Sequence, residues 1–421
     1  MNEEFLHYLW KYRLYKLDEY KSDDGQTIEI IHPGIQNHDA GPDFFNAKIK
    51  IGNTLWAGNV EIHLKSSDWY RHGHQNDPAY NNVILHVVLE NDFKTKTYSD
   101  LTVPVWEMPI ESWHLDNYKH LTGTPQKIGC ANRINQIPRI EISNWIERMA
   151  IERLENKTIL IEQLLSQYQN DQDEVFYILT ARNFGFSVNG DAFEQMARQT
   201  PWKIVLKNRD NLETLEALFL GQAGFLSDEM FQDNYIKKLC DEYKFLKNKY
   251  SLTPISIHHW KFLRLRPSNF PTIRLMQFAK LLFQNNYSSE KILKEKDLYN
   301  IYDLLMIETS PYWETHYKPD KESPKSKKKV GKTSAELVIM NTIVPFLFSL
   351  GTKRANEELT HKALDWLQSL PPDNNSIISD WNNIEIVANN AMESQALIYL
   401  TKNYCINKKC LHCKIGHLVI K

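Results

Sequence analysis

Between Gly41 and Lys65 two acids and two bases recur at a spacing that could do metal chemistry. The segments Gly41-Pro-Asp-Phe-Phe-Asn-Ala-Lys-Ile-Lys-Ile51 and Ala57-Gly-Asn-Val-Glu-Ile-His-Leu-Lys65 read as two strands of a hairpin. Successive strand residues point to opposite faces. Glu61, His63 and Lys65 therefore line one face, while Val60, Ile62 and Leu64 enter a core. On the first strand Ala47, Ile49 and Ile51 share a face, and Asn46, Lys48 and Lys50 take the other. Gly52-Asn53 supplies the turn, and the connection could extend to Gly58. Asp43 at the mouth of one strand and Glu61 in the middle of the next can bring two carboxylates to one hard divalent cation, Mg²⁺ or Mn²⁺. His63 or Lys65 could then orient or deprotonate an attacking water, the minimum for metal-assisted phosphodiester cleavage. The plainer reading is a turn aspartate followed by a solvated sheet face.

The second cluster is Cys405-Ile-Asn-Lys-Lys-Cys410-Leu-His-Cys413-Lys-Ile-Gly-His417. Cys410 and Cys413 have chelating spacing, and Cys405 lies within reach. A closed tetrahedral zinc site needs a fourth ligand. His417 or His412 could supply it locally, and Cys130 or Cys240 from afar. A [4Fe–4S] cluster would recruit Cys130 or Cys240. Either group would be structural, and unliganded reduced thiols are the alternative. Five cysteines, three of them at one end, suit a reducing compartment, and the expected location is cytoplasmic.

Other residues carry weaker signals. His72 and His74 sit two apart in a loop rich in Asp and Asn, where a surface or phosphate-contacting role competes with a metal role. His86 lies inside the apolar run Val83–Leu89, which reads as a strand buried on both faces; a hydrogen-bonded core histidine is the default there. Between Trp260 and Arg274, Arg264, Arg266 and Arg274 alternate with Trp260, Phe262 and Phe270. Such a mix can hold phosphates and stack bases, or it can be a loop whose arginines pair with acids. Lys318–Lys332 reads as a mobile basic loop or solvated linker. Gly331-Lys332-Thr333-Ser334 imitates the end of a phosphate-binding loop, but Ser326 stands where its first glycine belongs, so Thr333 or Ser334 reads as a helix cap.

The elements that must position these groups follow from periodicity. Phe5, Tyr8, Leu9 and Tyr12 mark a helix over 3–16. Glu3 or Glu4 on it could reach the hairpin acids, although plain surface is the simpler fate. Strands are expected at Thr27–Ile31, in the hairpin, at Asn82–Leu89 and at Thr102–Met108, the last an edge strand because Pro104 lacks a ladder donor. From about Pro138 the pattern turns helical: a long helix through Ile146–Tyr168, then Glu174–Arg182, Ala192–Gln199, Leu212–Leu220, Asn234–Lys247, Ile273–Phe283 and Glu336–Leu350, with Pro345 kinking the last. The fold class is α+β, with an N-terminal α/β domain with a mixed sheet over 1–125 and a large all-helical region over 126–421. A net charge of −2 excludes a globally basic nucleic-acid binder, so any such surface must be local. No apolar run reaches the ~20 residues that span a bilayer, so no membrane partner is expected. Oligomeric state is not legible.

The Pro42-Asp43 pair and Glu61 resemble the PD-(D/E)xK nuclease superfamily, whose motif is an Asp near the start of one strand and Glu-x-Lys in the next. The resemblance implies a restriction-endonuclease-like fold for the first domain. Here His63 occupies the lysine position, and Lys65 follows on the same face. Several stretches together also look like a bacterial family of uncharacterised proteins, domain of unknown function 2851. They are Gly41–Phe44, Val60–His63, Ser67–Trp69, Arg182–Phe186, Gly221–Gly224, Arg266–Pro271 and the terminal cysteines. That family brings no activity with it. The expected function is a metal-dependent nuclease, with Asp43 and Glu61 on the ion, His63 or Lys65 on the water, and Arg264, Arg266 and Arg274 on nucleic acid. The alternatives are an inactive nuclease-fold module that binds nucleic acid or protein, and a hydrolase of another class using the same site.

Overall fold

The computed structural model describes residues 2–16, 20–227, 231–284 and 287–421. The chain divides into two compact units. One holds 1–145 and 400–421, the other 146–399. The sequence places a boundary near 125; the division instead falls at 145, and the chain returns to the first unit at 400.

In the first unit, helix α1 (Glu3–Tyr12) starts where Asn2 accepts the amide of Phe5, carries Glu3 and Glu4 in its first turn, and stops at Arg13 in the left-handed conformation. It is four residues shorter than its apolar spacing suggests, and Tyr12 is exposed. Phe5, Leu6, Leu9 and Trp10 are fully buried, each such burial contributing about 1.5–3 kcal/mol.

The sheet runs β1 (Tyr20–Lys21), β2 (Thr27–His32), β4 (Phe44–Ile51), β5 (Thr54–Lys65), β6 (Val83–Glu90), β7 (Val105–Glu107), with β3 (Ile35–Gln36) paired to β4. β2, β4 and β5 are antiparallel; β5, β6 and β7 are parallel. The sheet is thus mixed, with β7 at its edge. A parallel step needs a long crossover, and residues 66–82 provide it through the short helix α2 (Asp68–Arg71) and two 3₁₀ turns, His74–Asn76 and Pro78–Asn82. The hairpin closes on Gly52-Asn53 alone, with Gly52 at φ +55° and Ile51 paired to Thr54; Gly58 lies inside β5.

The C-terminus belongs to this unit. Helix Lys414–Ile420 packs on helix Ser112–Gly123, with His114 Nδ1 2.8 Å from Ile420 O.

The second unit is helical, built on a core that includes Phe176, Phe184, Phe193, Phe219, Phe278 and Phe346. Its apolar helix Lys332–Lys353 is, by length and composition, able to cross a bilayer, yet 83% of its most apolar window is buried inside the protein, as in a core helix. Pro345 does not break it. A π turn over Ile339–Ile343 takes up the missing amide, and Asn183 Nδ2 donates instead to the freed Asn341 carbonyl at 3.3 Å. The helix begins at Lys332 with Gly331 at the cap and no side-chain cap bond, so neither Thr333 nor Ser334 caps it.

Candidate functional site

The two acids meet because of a β-bulge. From the turn, β4 and β5 pair Ile51 with Thr54, Lys48 with Ala57 and Ala47 with Gly58. Continued unchanged, that register sets Asp43 opposite Ile62. Between Ala47 and Phe44 the register slips by one residue, at Asn46 with φ +58°, and Phe44 pairs with Val60. Asp43 is then opposite Glu61. A one-residue slip moves side chains to the other face, so both carboxylates now share one. The amide of Asp43 donates to Glu61 Oε2 at 3.1 Å, and the amide of Ile62 donates to Asp43 Oδ2 at 2.9 Å.

Histidines surround this pair. His7 of α1 places Nε2 3.2 Å from Asp43 Oδ2. Glu61 Oε1 lies 3.1 Å from His74 Nε2 and 3.4 Å from His63 Nε2. His63 Nε2 is 3.1 Å from His72 Nδ1, and His63 Nδ1 is 2.9 Å from His86 Nε2. Ligand atoms of His63, His72 and His74 all fall within 4.8 Å of one another.

The crossover after β5 delivers His72 and His74. Trp69, fully buried, donates its indole N–H to Lys96 O at 2.9 Å and packs against His74, His86 and Tyr80. Asp92 accepts from the Ser67 amide at 2.8 Å, and Ser66 Oγ accepts from the amides of Asp92 and Phe93. Gly73 at φ +80° lets the chain reverse between the two imidazoles. Tyr80 stacks on His74 at 3.9 Å.

The face predicted to be solvated is covered: Glu61 is 4% exposed and His63 2%. Burial, reinforced by the charge of Asp43, pushes the Glu61 carboxyl up to about 9. Burial, with His86, His74 and His72 adding, pulls His63 down to about 2 and keeps it neutral. Burial also lowers His74, and lowers His86 to about 3. Burial opposes charge on His7 as well, but its hydrogen bond and proximity to Asp43 outweigh that and raise it. A buried carboxyl of raised pKa against the neutral imidazoles of His63 and His74 is a donor set a divalent cation would organise. Nitrogen-rich sites favour manganese, iron or zinc over magnesium.

Of the sequence-derived residues, Asp43, Glu61 and His63 come together. Lys65 does not join them: it is exposed beyond the covered part of β5, and its ammonium pairs with Glu90, its neighbour across β6, at 2.9 Å. His86 is a core histidine and also the support of His63. His7 was missed, since a single histidine on an amphipathic helix carries no motif. Glu3 lies close enough to act electrostatically on Glu61 and His7, whereas Glu4 pairs with His412 at 3.0 Å.

In the helical unit Arg274 is not available to a ligand. It is 6% exposed, bonded to Asn269, Gln277 and Ser334, and stacked over Phe186 at 4.5 Å. Arg264 and Arg266 are exposed. The basic loop is built into the fold. It starts as a small hairpin, His316–Lys318 with Lys321–Glu322, and Lys328 is buried with its ammonium on Glu314 O at 2.7 Å.

Cys130, Cys405, Cys410 and Cys413 line one small cavity in the first unit. Cys240 belongs to the other unit, where its thiol faces Leu226 O. His417 Nδ1 lies 2.7 Å from Tyr8 Oη.

No curated protein and no solved structure matches this chain. One family model does, across residues 3–376, which takes in the hairpin acids, all five histidines around them and most of the helical unit. The chain therefore belongs to the family described as Protein of unknown function (DUF2851).

Proposed function

We propose that the chain is a metal-dependent hydrolase of nucleic-acid phosphodiester bonds. The observation that carries this reading is the interlocked pair Asp43 and Glu61, with His63 and His74 on Glu61 Oε1 and His72 against His63. A helix ahead of the hairpin, followed by a parallel strand after a crossover, agrees with the nuclease resemblance. Glu61, His63 and His74 would hold the ion, with Asp43 beside them, and the imidazoles favour Mn²⁺ over Mg²⁺. Bound there, such an ion supplies charge against a phosphate and acidifies a water.

The chain's own groups do the rest. The main-chain amides of Ile62 and Asp43 fix one oxygen of each acid, and the other Glu61 oxygen faces His63 and His74. His86 fixes the ring of His63. His72, the exposed imidazole of the group, is assigned the proton of the attacking water. As the water oxygen bonds phosphorus, the ester P–O bond breaks, and the leaving oxygen takes a proton from solvent. Exposed Arg264 and Arg266 would contribute phosphate contacts. None of the five cysteines is in a disulfide, in keeping with a cytoplasmic protein.

The second reading, a module that binds nucleic acid without cutting it, is favoured by one observation: Lys65 is engaged by Glu90. Incubation of the full chain with Mn²⁺, Mg²⁺ or Zn²⁺ and single- or double-stranded DNA or RNA separates the two. Cleavage that is lost in both Asp43→Ala and Glu61→Ala supports the hydrolase. Salt-dependent binding without cleavage under every metal supports the module.

A further inference from the structure

The cysteines offer a separate site, independent of the proposed hydrolase. Cys130 lies in the turn after helix Ser112–Gly123. Cys405 ends a π turn, Cys410 opens a 3₁₀ turn and Cys413 precedes helix Lys414–Ile420. Distant stretches of chain thus bring four thiols to one cavity, closed partly by Leu121 and Tyr404. None is in a disulfide. The approach is close. A Cβ on Gly416 would meet Cys410 O at 2.2 Å, and one on Gly129 would meet Leu121 O at 2.4 Å, so side chains at either position would push the thiol-bearing segments apart.

One sulfur already has donors directed at it. The amides of Ile415 and Gly416 and the indole N–H of Trp145 are the donors nearest in effect to the Cys413 thiol, and that buried indole N–H has no hydrogen-bond partner. Three N–H groups on a neutral thiol are poorly used; on a thiolate bound to metal they are strong, charge-assisted bonds. The local imidazoles are engaged elsewhere, His417 with Tyr8 and His412 with Glu4.

Spacing separates the two kinds of group that thiolates hold. A tetrahedral zinc has Zn–S bonds of ~2.3 Å, which sets its sulfurs ~3.8 Å apart. Among the described residues the histidines of the hairpin site are the set of three ligand atoms that converge within 4.8 Å; the thiols ring a cavity without meeting at a point. An iron–sulfur cube needs that wider ring, because each thiolate binds its own iron.

We propose that Cys130, Cys405, Cys410 and Cys413 hold a [4Fe–4S] cluster that fastens the C-terminal segment to the α/β unit. Assembly of the resting cube takes two ferrous and two ferric ions with four sulfides and releases the four thiol protons, so a mixed-valence iron supply leaves no electrons unaccounted for.

The test is anaerobic purification of the full chain, followed by reconstitution with equal amounts of ferrous and ferric iron, and sulfide. Iron, acid-labile sulfide and zinc are quantified, and visible absorption and electron paramagnetic resonance are recorded after dithionite. The expected result is a brown protein with iron and sulfide in equal amounts, near four of each per chain, and a reduced-cluster resonance. Cys405→Ser and Cys130→Ser should lose most of the iron, while Cys240→Ser keeps it. A colourless parent protein with one zinc and no sulfide, or a parent that takes up no metal on reconstitution, overturns the proposal without reference to any variant. Because the readout is metal content and spectrum, it stands whether or not the chain cleaves nucleic acid.

Discussion

Asp43 and Glu61 each fix the other through the main chain. The Asp43 amide binds Glu61 Oε2 at 3.1 Å, and the amide that follows Glu61 binds Asp43 Oδ2 at 2.9 Å. This reciprocity exists only because the bulge at Asn46 sets them opposite one another. Asn46 sits in the left-handed region, which Asn and Gly tolerate and β-branched residues do not. Asn46→Gly should keep the site. Asn46→Val should cost about 1–3 kcal/mol of strain or restore the unbulged register, and in either case weaken Mn²⁺ binding. Denaturant unfolding with calorimetric metal titration checks this. Equal Mn²⁺ affinity in Asn46→Val and the parent would break the link between bulge and site.

The acid pair also makes stability depend on pH. Glu61 titrates at about 9 in the fold against an ordinary 4.5, so the folded state holds its proton more tightly than the unfolded chain does. Its contribution is fully present below 4.5 and is lost as pH climbs to about 9. His63 has the opposite sign. Lowered to about 2 from 6.5, it removes stability as pH falls below 6.5. Between 6.5 and 9 the Glu61 effect is joined by that of His7, whose raised pKa also removes stability as pH rises, so the comparison with a Glu61 variant is what isolates the carboxyl. In chelator, the melting temperature of the parent should fall across that window more steeply than that of Glu61→Gln, which keeps an acceptor for the Asp43 amide. Mn²⁺ should flatten the parent's slope, because the ion replaces the proton. Parallel slopes for parent and variant in chelator would count against a buried, protonated Glu61.

His86 tests whether the imidazoles act as ligands. Buried at 0% exposure, it meets His63 Nδ1 at 2.9 Å and touches no solvent. Groups that orient a metal-binding histidine typically account for ~10–100-fold in metal affinity or activity. His86→Phe should lower Mn²⁺ affinity by that factor, while His86→Gln, which can still bond to His63, should retain more of it. Competition titration against a metal indicator reads both. If the two variants bind alike, His86 is only packing.

Much of this was legible and some was not, for physical reasons. Strands β2, β4, β5 and β6 follow from side-chain period, which is local; the expected strand over Thr102–Met108 shrinks to β7, Val105–Glu107, with Pro104 just outside it, and β1 and β3 are too short to show a period. Alternation put Glu61 and His63 on one face, but it could not show that the crossover covers that face. A strand pattern reports period, not what lies above it. The bulge was hidden because the turn alone implies an unbroken register, and Asn46 was its one trace. His7, His72 and His74 come from a helix and a loop that only the fold gathers. Arg274 looked like a phosphate ligand because alternation with aromatics does not distinguish a surface groove from a core. Cys130 is one of several cysteine and histidine candidates in the sequence, and only the fold puts it on the cavity of the terminal cysteines.

The arginines give the sharpest contrast between packing and recognition. Arg274 is bound by Asn269, Gln277 and Ser334 and lies over Phe186, all within its own unit. Burial pulls its guanidinium down to about 10, still charged at neutral pH. Arg274→Ala would leave those polar partners unsatisfied, at about 1–3 kcal/mol for each buried group stranded, with an added loss of stacking. Arg264 and Arg266 are exposed, so Arg264→Ala and Arg266→Ala should leave the melting temperature unchanged. If they touch phosphate, each should instead lower nucleic-acid affinity and reduce the slope of log K against log salt by about 1. Thermal melts beside fluorescence-anisotropy titrations at several salt concentrations separate the outcomes. Were Arg274→Ala as stable as the parent while only its nucleic-acid binding fell, the internal role would be lost. Were Arg264→Ala and Arg266→Ala to leave the salt slope untouched, this stretch would carry no phosphate contact.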